Sequence, residues 1–553
     1  MKSSQLMASL FTSLALVVAA CGDSDAGESE SDNASSTGET TDESASSEAG
    51  SESASETDGA LEWVPAAGIS ITSVEINQGT GQDIARGRDW VDPSGRASFI
   101  VEGRDAVVRV HFTIEEDWTP REIEARLHLQ YLDGASETVS QTMLVESSST
   151  PGVLDSTFLL DLAAADGQTV SGAKFQVELY QKPDDSPAEP PAADDVWQTP
   201  ADGPNWVGFE SDPMQLKLVL VPIHYQADGL DIVAEVNDDD LARIEDTFFD
   251  SNPVQDVLID VHSPLLFTDP LGGDLFSGLS PLLSAVAQLR ADENPGPNVY
   301  YHALLDQGCQ FTGCSQNGGL LGQAINIPGP SMGEANLRVA ASMYYKPDGA
   351  ITELSLETMV HEHGHVQGLM HIFCPMGGSF GNDPTFPDPE GKIATWGLGL
   401  RSRQLHEAGV EFDYMSYCRP QWLGPWTWNK TYNRVRELSA WDAGASAPVE
   451  TYPVLVGAHH GDGATEWWTM DMAIDDAARS AGERVEFSLN GEWVSQPVVV
   501  RELSEGGAYW ILTPLPAPLD TITQIRHVEG ARASAVRLDG IKQLHRAPVT
   551  ARD

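Results

Sequence analysis

Residues 361–371 read HEHGHVQGLMH and follow the segment LSLETMV at residues 354–360, whose apolar spacing is typical of a helix. On such a helix His361 and His365 are one turn apart on the same face, so both imidazoles can reach one ion. Zinc is readily bound by two histidines in this arrangement. The stretch therefore predicts a helix that carries a metal site.

The neighbouring residues complete the predicted site. Glu362 is rotated by about 100° from His361 on a 3.6-residue helix, which places its carboxylate beside the metal, where it can act on a water as general base. Gly368 can adopt the left-handed conformation that ends a helix, so that the chain turns and His371 becomes the third ligand. A fourth position stays open, as a catalytic zinc requires. His363 points away from the pair and is expected to be an ordinary core or surface residue.

A second segment supports the same interpretation. The full pattern HExxHxxGxxH resembles that of the metzincin metallopeptidases, in which a tight turn carries a methionine beneath the zinc. Residues 413–418, which read DYMSYC, fit that turn. The resemblance implies that Met415 forms an apolar floor under the three imidazoles, and that Tyr417 lies close to zinc, where its phenol could donate to a developing oxyanion. The alternatives are an ordinary core methionine and a packed aromatic ring.

The chain is also similar to a group of secreted bacterial metzincins, which share a cysteine soon after the third histidine and a tryptophan-containing segment after the methionine turn. Here these features are Cys374 and the segment QWLGPWTW at residues 421–428. The likeness is specific over residues 361–428, loose over residues 216–440, and does not extend to the flanking domains. Three tryptophans of the segment either line a substrate cleft or belong to the core, namely Trp422, Trp426 and Trp428.

The N-terminus carries targeting features. Residues 6–20 are mostly apolar after the single Lys2, too short to span a bilayer but typical of a signal-peptide core, so residues 1–20 are predicted to be a signal peptide. The segment ends in VAAC at residues 18–21, which resembles the bacterial lipobox and implies that Cys21 is lipidated. The alternative is ordinary cleavage that leaves Cys21 as a free thiol.

A polar tether is predicted over residues 21–60. Between residues 22 and 59 there are 11 Ser and 12 Asp+Glu, with no Lys, no Arg and no large apolar residue, so nothing there offsets the entropy cost of ordering the chain. These features predict a lipoprotein exported to the bacterial cell envelope. Because Gly22 gives no inner-membrane retention signal, the outer membrane or cell surface is favoured.

The four cysteines after Cys21 are an even number in an exported chain, which favours disulfides over free thiols or a second metal site. Spacing alone leaves all three pairings of these cysteines open. Because the third histidine of a metzincin lies over the methionine turn, the resemblance implies a Cys374–Cys418 bridge, worth roughly 4 kcal/mol in the chain-entropy treatment. Cys309 and Cys314 would then pair locally, for roughly 2 kcal/mol.

Changes in the pattern of apolar, polar and proline residues divide the remaining chain into predicted regions. Short alternating runs predict a β-sandwich over residues 61–182, and six prolines between residues 183 and 204 mark a Pro/Asp-rich linker over 183–210. Strands and helices alternate over 211–443, and strand signals return over 444–553. The predicted fold class is therefore multidomain: an α/β (α+β) metzincin-like zinc peptidase domain flanked by an N-terminal β-sandwich and a small C-terminal β-domain.

The net charge of the chain limits the classes of partner that it is expected to bind. The chain has 83 Asp+Glu against 31 Lys+Arg and a formal charge of −52, which repels nucleic acid and anionic lipid and leaves the lipid anchor as the contact with a membrane. Calcium binding is unsupported, because the acidic run Asp238–Asp240 lacks the spacing of a calcium loop and is predicted to begin a helix.

Together these features predict a zinc endopeptidase with one catalytic ion, Glu362 as general base and extracellular protein or glycoprotein as substrate. One alternative is a cell-surface adhesin that binds glycan or protein and has a non-catalytic zinc site. The other is a protease restricted to mucin-like glycoproteins.

Overall fold

The computed structural model describes residues 62–183, 190–227, 229–271, 279–306, 320–377, 381–443, 452–459, 465–472, 474, 479–502 and 509–543. The predicted signal peptide, the tether, Cys21, Cys309 and Cys314 lie outside these ranges. Residues 61–553 form one compact unit. Within the described ranges the chain is a multidomain, mostly β protein with four α-helices. None of these helices is long and apolar enough to cross a bilayer.

The N-terminal region is a β-sandwich. Its strands are β1 (Val64–Pro65), β2 (Ile69–Asn77), β3 (Gly81–Arg86), β4 (Asp89–Trp90), β5 (Ile100–Val101), β6 (Ala106–Ile114), β7 (Arg121–Gln130), β8 (Ser136–Val145), β9 (Phe158–Leu162), β10 (Lys174–Gln181), β11 (Gln198–Thr199), β12 (Asn205–Trp206) and β13 (Phe209–Glu210). One sheet has the order β1-β10-β7-β8, and the other has the order β4-β3-β2-β6-β9. Every second residue of β7, including Ile123, Ala125 and Leu127, is fully buried, because alternate side chains face the opposite sheet.

Residues 190–210 differ from the predicted linker. Strands β11 and β12 pair with β10, and β13 pairs with β5. Thr199 and Val207 of this segment are buried. The local Pro and Asp content indicates a connection between domains, but hydrogen bonds to strands far away in sequence incorporate the segment into the sandwich.

The central region contains a mixed sheet and the α-helices. Its strands are β14 (Gln215–Tyr225), β15 (Ile232–Val233), β16 (Asp256–Val261), β17 (Leu265–Phe267), β18 (Val299–Leu305), β19 (Gly322–Ala324), β20 (Val339–Met343), β21 (Gly397–Leu398), β22 (Leu405–His406), β23 (Phe412–Asp413) and β24 (Gln421–Trp422), and its helices are α1 (Asp238–Ser251), α2 (Ser280–Glu293), α3 (Glu353–Val366) and α4 (Pro425–Ser439). The sheet order is β15-β14-β18-β20-β19, with β16 and β17 also paired to β14. Strands β14, β18 and β20 are parallel, whereas the edge strand β19 is antiparallel to β20.

Helix α1 begins at the acidic run, as predicted. The side chain of Asn237 accepts from the backbone N–H of Asp240, and the side chain of Asp240 accepts from the backbone N–H of Asn237. This capping box satisfies two donors of the first turn. The acidic residues therefore have a structural role at the helix start.

The C-terminal region is one eight-stranded sheet with two different faces. Its strands are β25 (Tyr452–His459), β26 (Thr465–Met472), β27 (Arg479–Leu489), β28 (Glu492–Glu502), β29 (Tyr509–Pro514), β30 (Ile522–Glu529), β31 (Arg532–Val536) and β32 (Ile541–Gln543), in the order β31-β30-β27-β28-β29-β25-β26-β32. On one face, Val454 and Trp468 share a core with Leu283 of α2. On the other, Leu455 of β25 packs with Val536 of β31, so the sheet curls around a second core.

Short 3₁₀ helices connect several of these elements, at Pro93–Gly95, Leu154–Ser156, Ala164–Asp166, Met332–Leu337, Ala440–Ala443, Leu519–Thr521 and Leu538–Gly540.

The sandwich and the central region are joined by a buried arginine. Arg104 is fully buried, and its guanidinium donates to three backbone carbonyls, those of Gln78, Phe249 and Val254. Burial lowers the pKa of Arg104 to about 9, but the group still carries its charge at neutral pH. Two of these acceptors belong to the central region and one to the sandwich, so the two regions are held in a fixed arrangement.

Candidate metal centre

Helix α3 carries the first two predicted ligands and ends where the sequence predicts. Thr352 caps its N-terminus by accepting from the backbone N–H of Ser355. At the other end Gly368 has a φ of +95°. The N–H of Gly368 donates to the carbonyl of His365 at 2.8 Å, and the next N–H, of Leu369, donates to the carbonyl of Gly364 at 2.9 Å. This pair of bonds is a Schellman motif, which reverses the chain towards His371.

The three predicted ligands converge. His361, His365 and His371 are buried, and one ligand atom of each lies within 4.8 Å of the others. In the described part of the chain this is the one group of three His, Cys, Asp or Glu residues that could hold a metal ion. The Nε2 atoms of His365 and His371 are 3.1 Å apart. The prediction that these histidines meet is confirmed.

Backbone carbonyls fix the orientation of two of the imidazoles. Nδ1 of His361 lies 2.8 Å from the carbonyl oxygen of Tyr414, and Nδ1 of His365 lies 2.8 Å from that of Leu369. A carbonyl can only accept, so each Nδ1 carries a proton and donates it, and Nε2 is the ring atom left to bind a metal. Carbonyl partners of this kind orient metal-binding histidines and raise their basicity.

The donor set fits a transition metal. Nitrogen ligands about 2.1 Å from a tetrahedral ion lie about 3.4 Å apart, which is close to the 3.1 Å between the Nε2 atoms of His365 and His371. Neutral imidazoles are suitable ligands for zinc and for several neighbouring metals. His361, His365 and His371 would hold such an ion.

The methionine turn lies directly against α3. Met415 is fully buried, and a Cβ on Gly364 would collide with its sulfur atom. The N–H of Ile372 donates to the carbonyl of Met415 at 2.9 Å, which joins the turn to the segment of the third histidine. Gly364 therefore has a role that the sequence analysis missed: its lack of a side chain allows the turn to approach the helix.

A disulfide links the same two segments. Cys374 and Cys418 are bonded, with their Cα atoms 5.3 Å apart and a sequence separation of 44. The pairing implied by the resemblance is confirmed. The other implied pair, Cys309–Cys314, falls outside the described residues.

Asp413 holds the methionine turn in shape. One carboxylate oxygen accepts from the backbone N–H of Met415 at 3.0 Å, and the other accepts from the hydroxyl of Thr427 on α4. Burial raises the pKa of Asp413 to about 6, although the hydrogen bonds from Thr427 and the backbone oppose this shift. The sequence offered one signal for this role, the position of Asp413 two residues before Met415. It does not reveal that the carboxylate folds back and accepts from the backbone of the turn.

The side chain of Glu362, a residue of α3, lies against β19, the edge strand of the central sheet. It is 2% exposed. A Cβ on Gly322 of β19 would be 2.5 Å from Cγ of Glu362 and 2.8 Å from its Oε1. Gly322 therefore leaves the space that the glutamate occupies. The sequence analysis missed this glycine because nothing local relates residue 322 to residue 362.

Tyr417 reaches the centre. Its half-buried ring lies 4.8 Å from the ring of His371 and 5.8 Å from that of His361, centroid to centroid. The predicted proximity of this tyrosine to the ligands is therefore present in the structure. Its catalytic role stays a prediction.

His363, predicted to be an ordinary core or surface residue, faces the core. Its ring packs edge-on against Phe248, with centroids 5.0 Å apart, and tilted against Tyr300, with centroids 4.6 Å apart. Burial and the nearby His302 lower the pKa of His363 far below its ordinary value, so it is neutral. Residues 361 and 363 thus lie on opposite sides of one helix, with different chemistry.

Two of the three tryptophans after the methionine turn connect the central region to the sandwich. Trp428 is 1% exposed and donates from its Nε1 to the carbonyl of Phe99. Trp422 donates from its Nε1 to the carbonyl of Gly79. Phe99 and Gly79 belong to the sandwich region, so the core alternative describes these two rings. Trp426 instead packs edge-on against Phe386 at 5.0 Å.

The sequence matches no protein-family model, and a search of curated proteins finds no match.

Proposed function

We propose that this protein is a zinc-dependent endopeptidase that hydrolyses extracellular proteins or glycoproteins. The observation that carries the proposal is the convergence of three buried imidazoles, with Nδ1 of His361 and of His365 each held by a backbone carbonyl. The buried Glu362 directly follows the first of these ligands on α3. A purely structural site needs no such buried carboxylate, whereas a hydrolytic site needs a base.

The proposed mechanism assigns one role to each residue. A bound zinc ion supplies Lewis acidity to the scissile carbonyl and to the attacking water. Glu362 removes a proton from that water and transfers it to the leaving amine. The phenol of Tyr417 donates to the developing oxyanion. Met415 gives the three imidazoles an apolar support.

The N-terminal features supply the proposed location. Lipidation at Cys21 followed by a charged tether would hold the folded unit outside the cell membrane, where protein substrates are accessible. Cys21 and the tether lie outside the described residues, and this part of the proposal depends on the sequence.

The experiment uses residues 61–553, which form one compact unit. Metal content and cleavage of casein and of a peptide library are measured for wild type, Glu362→Gln and Glu353→Gln. Glu353 is the matched control, because it lies on the same helix but is exposed and paired with Arg243. We expect Glu362→Gln to retain one zinc and to lose activity by a factor on the order of 10²–10⁴, whereas Glu353→Gln remains active.

A fully active Glu362→Gln variant would disprove the proposed mechanism. Zinc without cleavage by wild type would favour the adhesin alternative. Cleavage of a glycosylated mucin, but not of the same mucin stripped of its glycans or of the peptide library, would favour the glycoprotein-restricted protease.

A further inference from the structure

The inner face of the C-terminal sheet changes character along its strands. Near the middle it is aliphatic, with Leu455, Ile511, Ile525 and Val536 in one core. Two to four residues further along the same strands, the side chains on that face become polar or aromatic. They are His459 on β25, Tyr509 on β29, His527 and Glu529 on β30, and Ser534 and Arg532 on β31.

This change produces a cleft at the open end of the curled sheet. Its volume is about 800 Å³, and its lining includes the polar and aromatic residues named above together with Trp467. Sites for small ligands commonly lie in the mouths of β-barrels and have volumes of about 300–1,000 Å³. Glu529, Arg532 and Ser534 are exposed, and His459, Tyr509 and His527 are half-buried, so a ligand in the cleft could reach all six side chains.

A tryptophan forms a fixed platform in this cleft. Trp467 of β26 lies opposite Gly457 of β25, and a Cβ on Gly457 would be 2.5–2.8 Å from three atoms of the indole ring. The ring therefore lies flat on the backbone of the neighbouring strand. Beside it, the rings of His459 and Tyr509 are in contact, with their centroids 4.7 Å apart and their planes tilted by 34°. The aromatic surface is preorganised, so a ligand would not have to order it.

Charges at the mouth of the cleft are compensated. Glu483 lies 3.3 Å from Nε2 of His527, and Glu529 lies directly opposite Arg532 in the strand register. Burial and the carboxylates of Glu483 and Glu529 raise the pKa of Tyr509, which keeps its phenol protonated as a donor. The cleft therefore offers several donors and acceptors but little net charge.

We propose that this cleft binds an uncharged oligosaccharide. A sugar presents an apolar C–H face, which suits the flat ring of Trp467, and hydroxyl groups that both donate and accept. The acidic charge of the whole chain, −52, disfavours an anionic ligand. The site is separate from the metal centre, and its binding does not depend on peptidase activity.

The test measures glycan binding by residues 61–553 carrying Glu362→Gln, so that proteolysis cannot affect the result. The probes are an immobilised array of neutral oligosaccharides with hexose, N-acetylhexosamine and deoxyhexose ends, their sialylated and sulfated forms, and a lysine-rich peptide. We expect binding to neutral oligosaccharides. Trp467→Ala should weaken it at least tenfold, while Trp493→Ala, an exposed tryptophan of the same sheet that is 43% exposed, should change it less than twofold.

Folding is checked by zinc content and circular dichroism. If Trp467→Ala fails to fold, Tyr509→Phe keeps the ring and removes only the phenol donor, and it should still weaken binding severalfold. Absence of binding to any neutral oligosaccharide, binding only to the anionic forms or to the cationic peptide, or unchanged binding by well-folded Trp467→Ala would each overturn the proposal.

Discussion

The metal centre and the C-terminal cleft are built in opposite ways. The three ligands of the centre come from eleven consecutive residues, His361 to His371, and are buried. The cleft is assembled from separate strands between His459 and Gly540 and is open to solvent. In both, a glycine lets an aromatic or sulfur-containing side chain approach a backbone: Gly364 for Met415, and Gly457 for Trp467. The comparison shows that the metal centre combines a helix predicted from local sequence with more distant segments that pack against it.

The largest effect is expected from removing the bridge between those segments. The double variant Cys374→Ser/Cys418→Ser opens a loop with a sequence separation of 44, which should lower the free energy of unfolding by about 4 kcal/mol because the unfolded chain gains entropy. Urea unfolding followed by circular dichroism measures this change. An effect well below 1 kcal/mol would show that the bridge does not stabilise the centre.

The next effect concerns Asp413 and depends on pH. Its pKa of about 6 in the folded protein is above the ordinary value of about 3.9, so the folded state binds the proton more tightly than the unfolded chain. The resulting stability is fully present below pH 4 and is lost as the pH rises through 6. Relative to Asp413→Asn, wild type should therefore lose about 3 kcal/mol between pH 3 and pH 7.

Unfolding of both Asp413 proteins across that pH range provides the measurement. The asparagine has nearly the same shape as the aspartate and keeps an acceptor for the N–H of Met415. The other titrating groups therefore contribute equally to the stability of both proteins, and their contributions cancel in the difference. A difference that is constant with pH would contradict the buried, protonatable carboxyl.

A smaller effect is expected from adding one methyl group to the centre. Gly364→Ala places a Cβ against the sulfur of Met415 and should destabilise the protein by about 2 kcal/mol, as overpacking of a dense core does. Gly95→Ala is the control, because nothing lies within 4 Å of that Cβ. In a double-mutant cycle, Met415→Ala should relieve part of the cost of Gly364→Ala. Independent, additive effects would show that the two residues do not touch.

The smallest of these effects comes from a substitution on the strand that packs against the proposed base and against Thr358. Gly322→Ala would force Glu362 to move, since the new Cβ lies 2.5 Å from its Cγ. We expect about a tenfold loss in kcat/KM with unchanged zinc content, because small displacements of a catalytic group are costly. Loss of zinc together with activity would show instead that the strand supports the ligands.

The sequence predicts the local part of this protein well. Periodicity and glycine placement gave the helix over residues 353–366, its end at Gly368 and the approach of three histidines, because hydrogen bonds and side-chain directions within one helical turn depend on neighbouring residues. For the same reason His363 could be assigned to the opposite face of α3. The alternating runs of the sandwich were predictable from the two-residue period of a strand.

Other features depended on tertiary structure. Gly322, Gly364 and Asp413 have no local signature, because each is defined by a residue that only folding brings near. The same holds for residues 190–210, whose strands pair with distant partners, and for the cleft beside Trp467. Spacing left the disulfide pairing open until the segments of Cys374 and Cys418 were seen together. The sequence by itself determined which residues could bind a metal. The tertiary structure decided what surrounds these residues, because the contacts between distant segments depend on every segment that meets there and not on one segment alone.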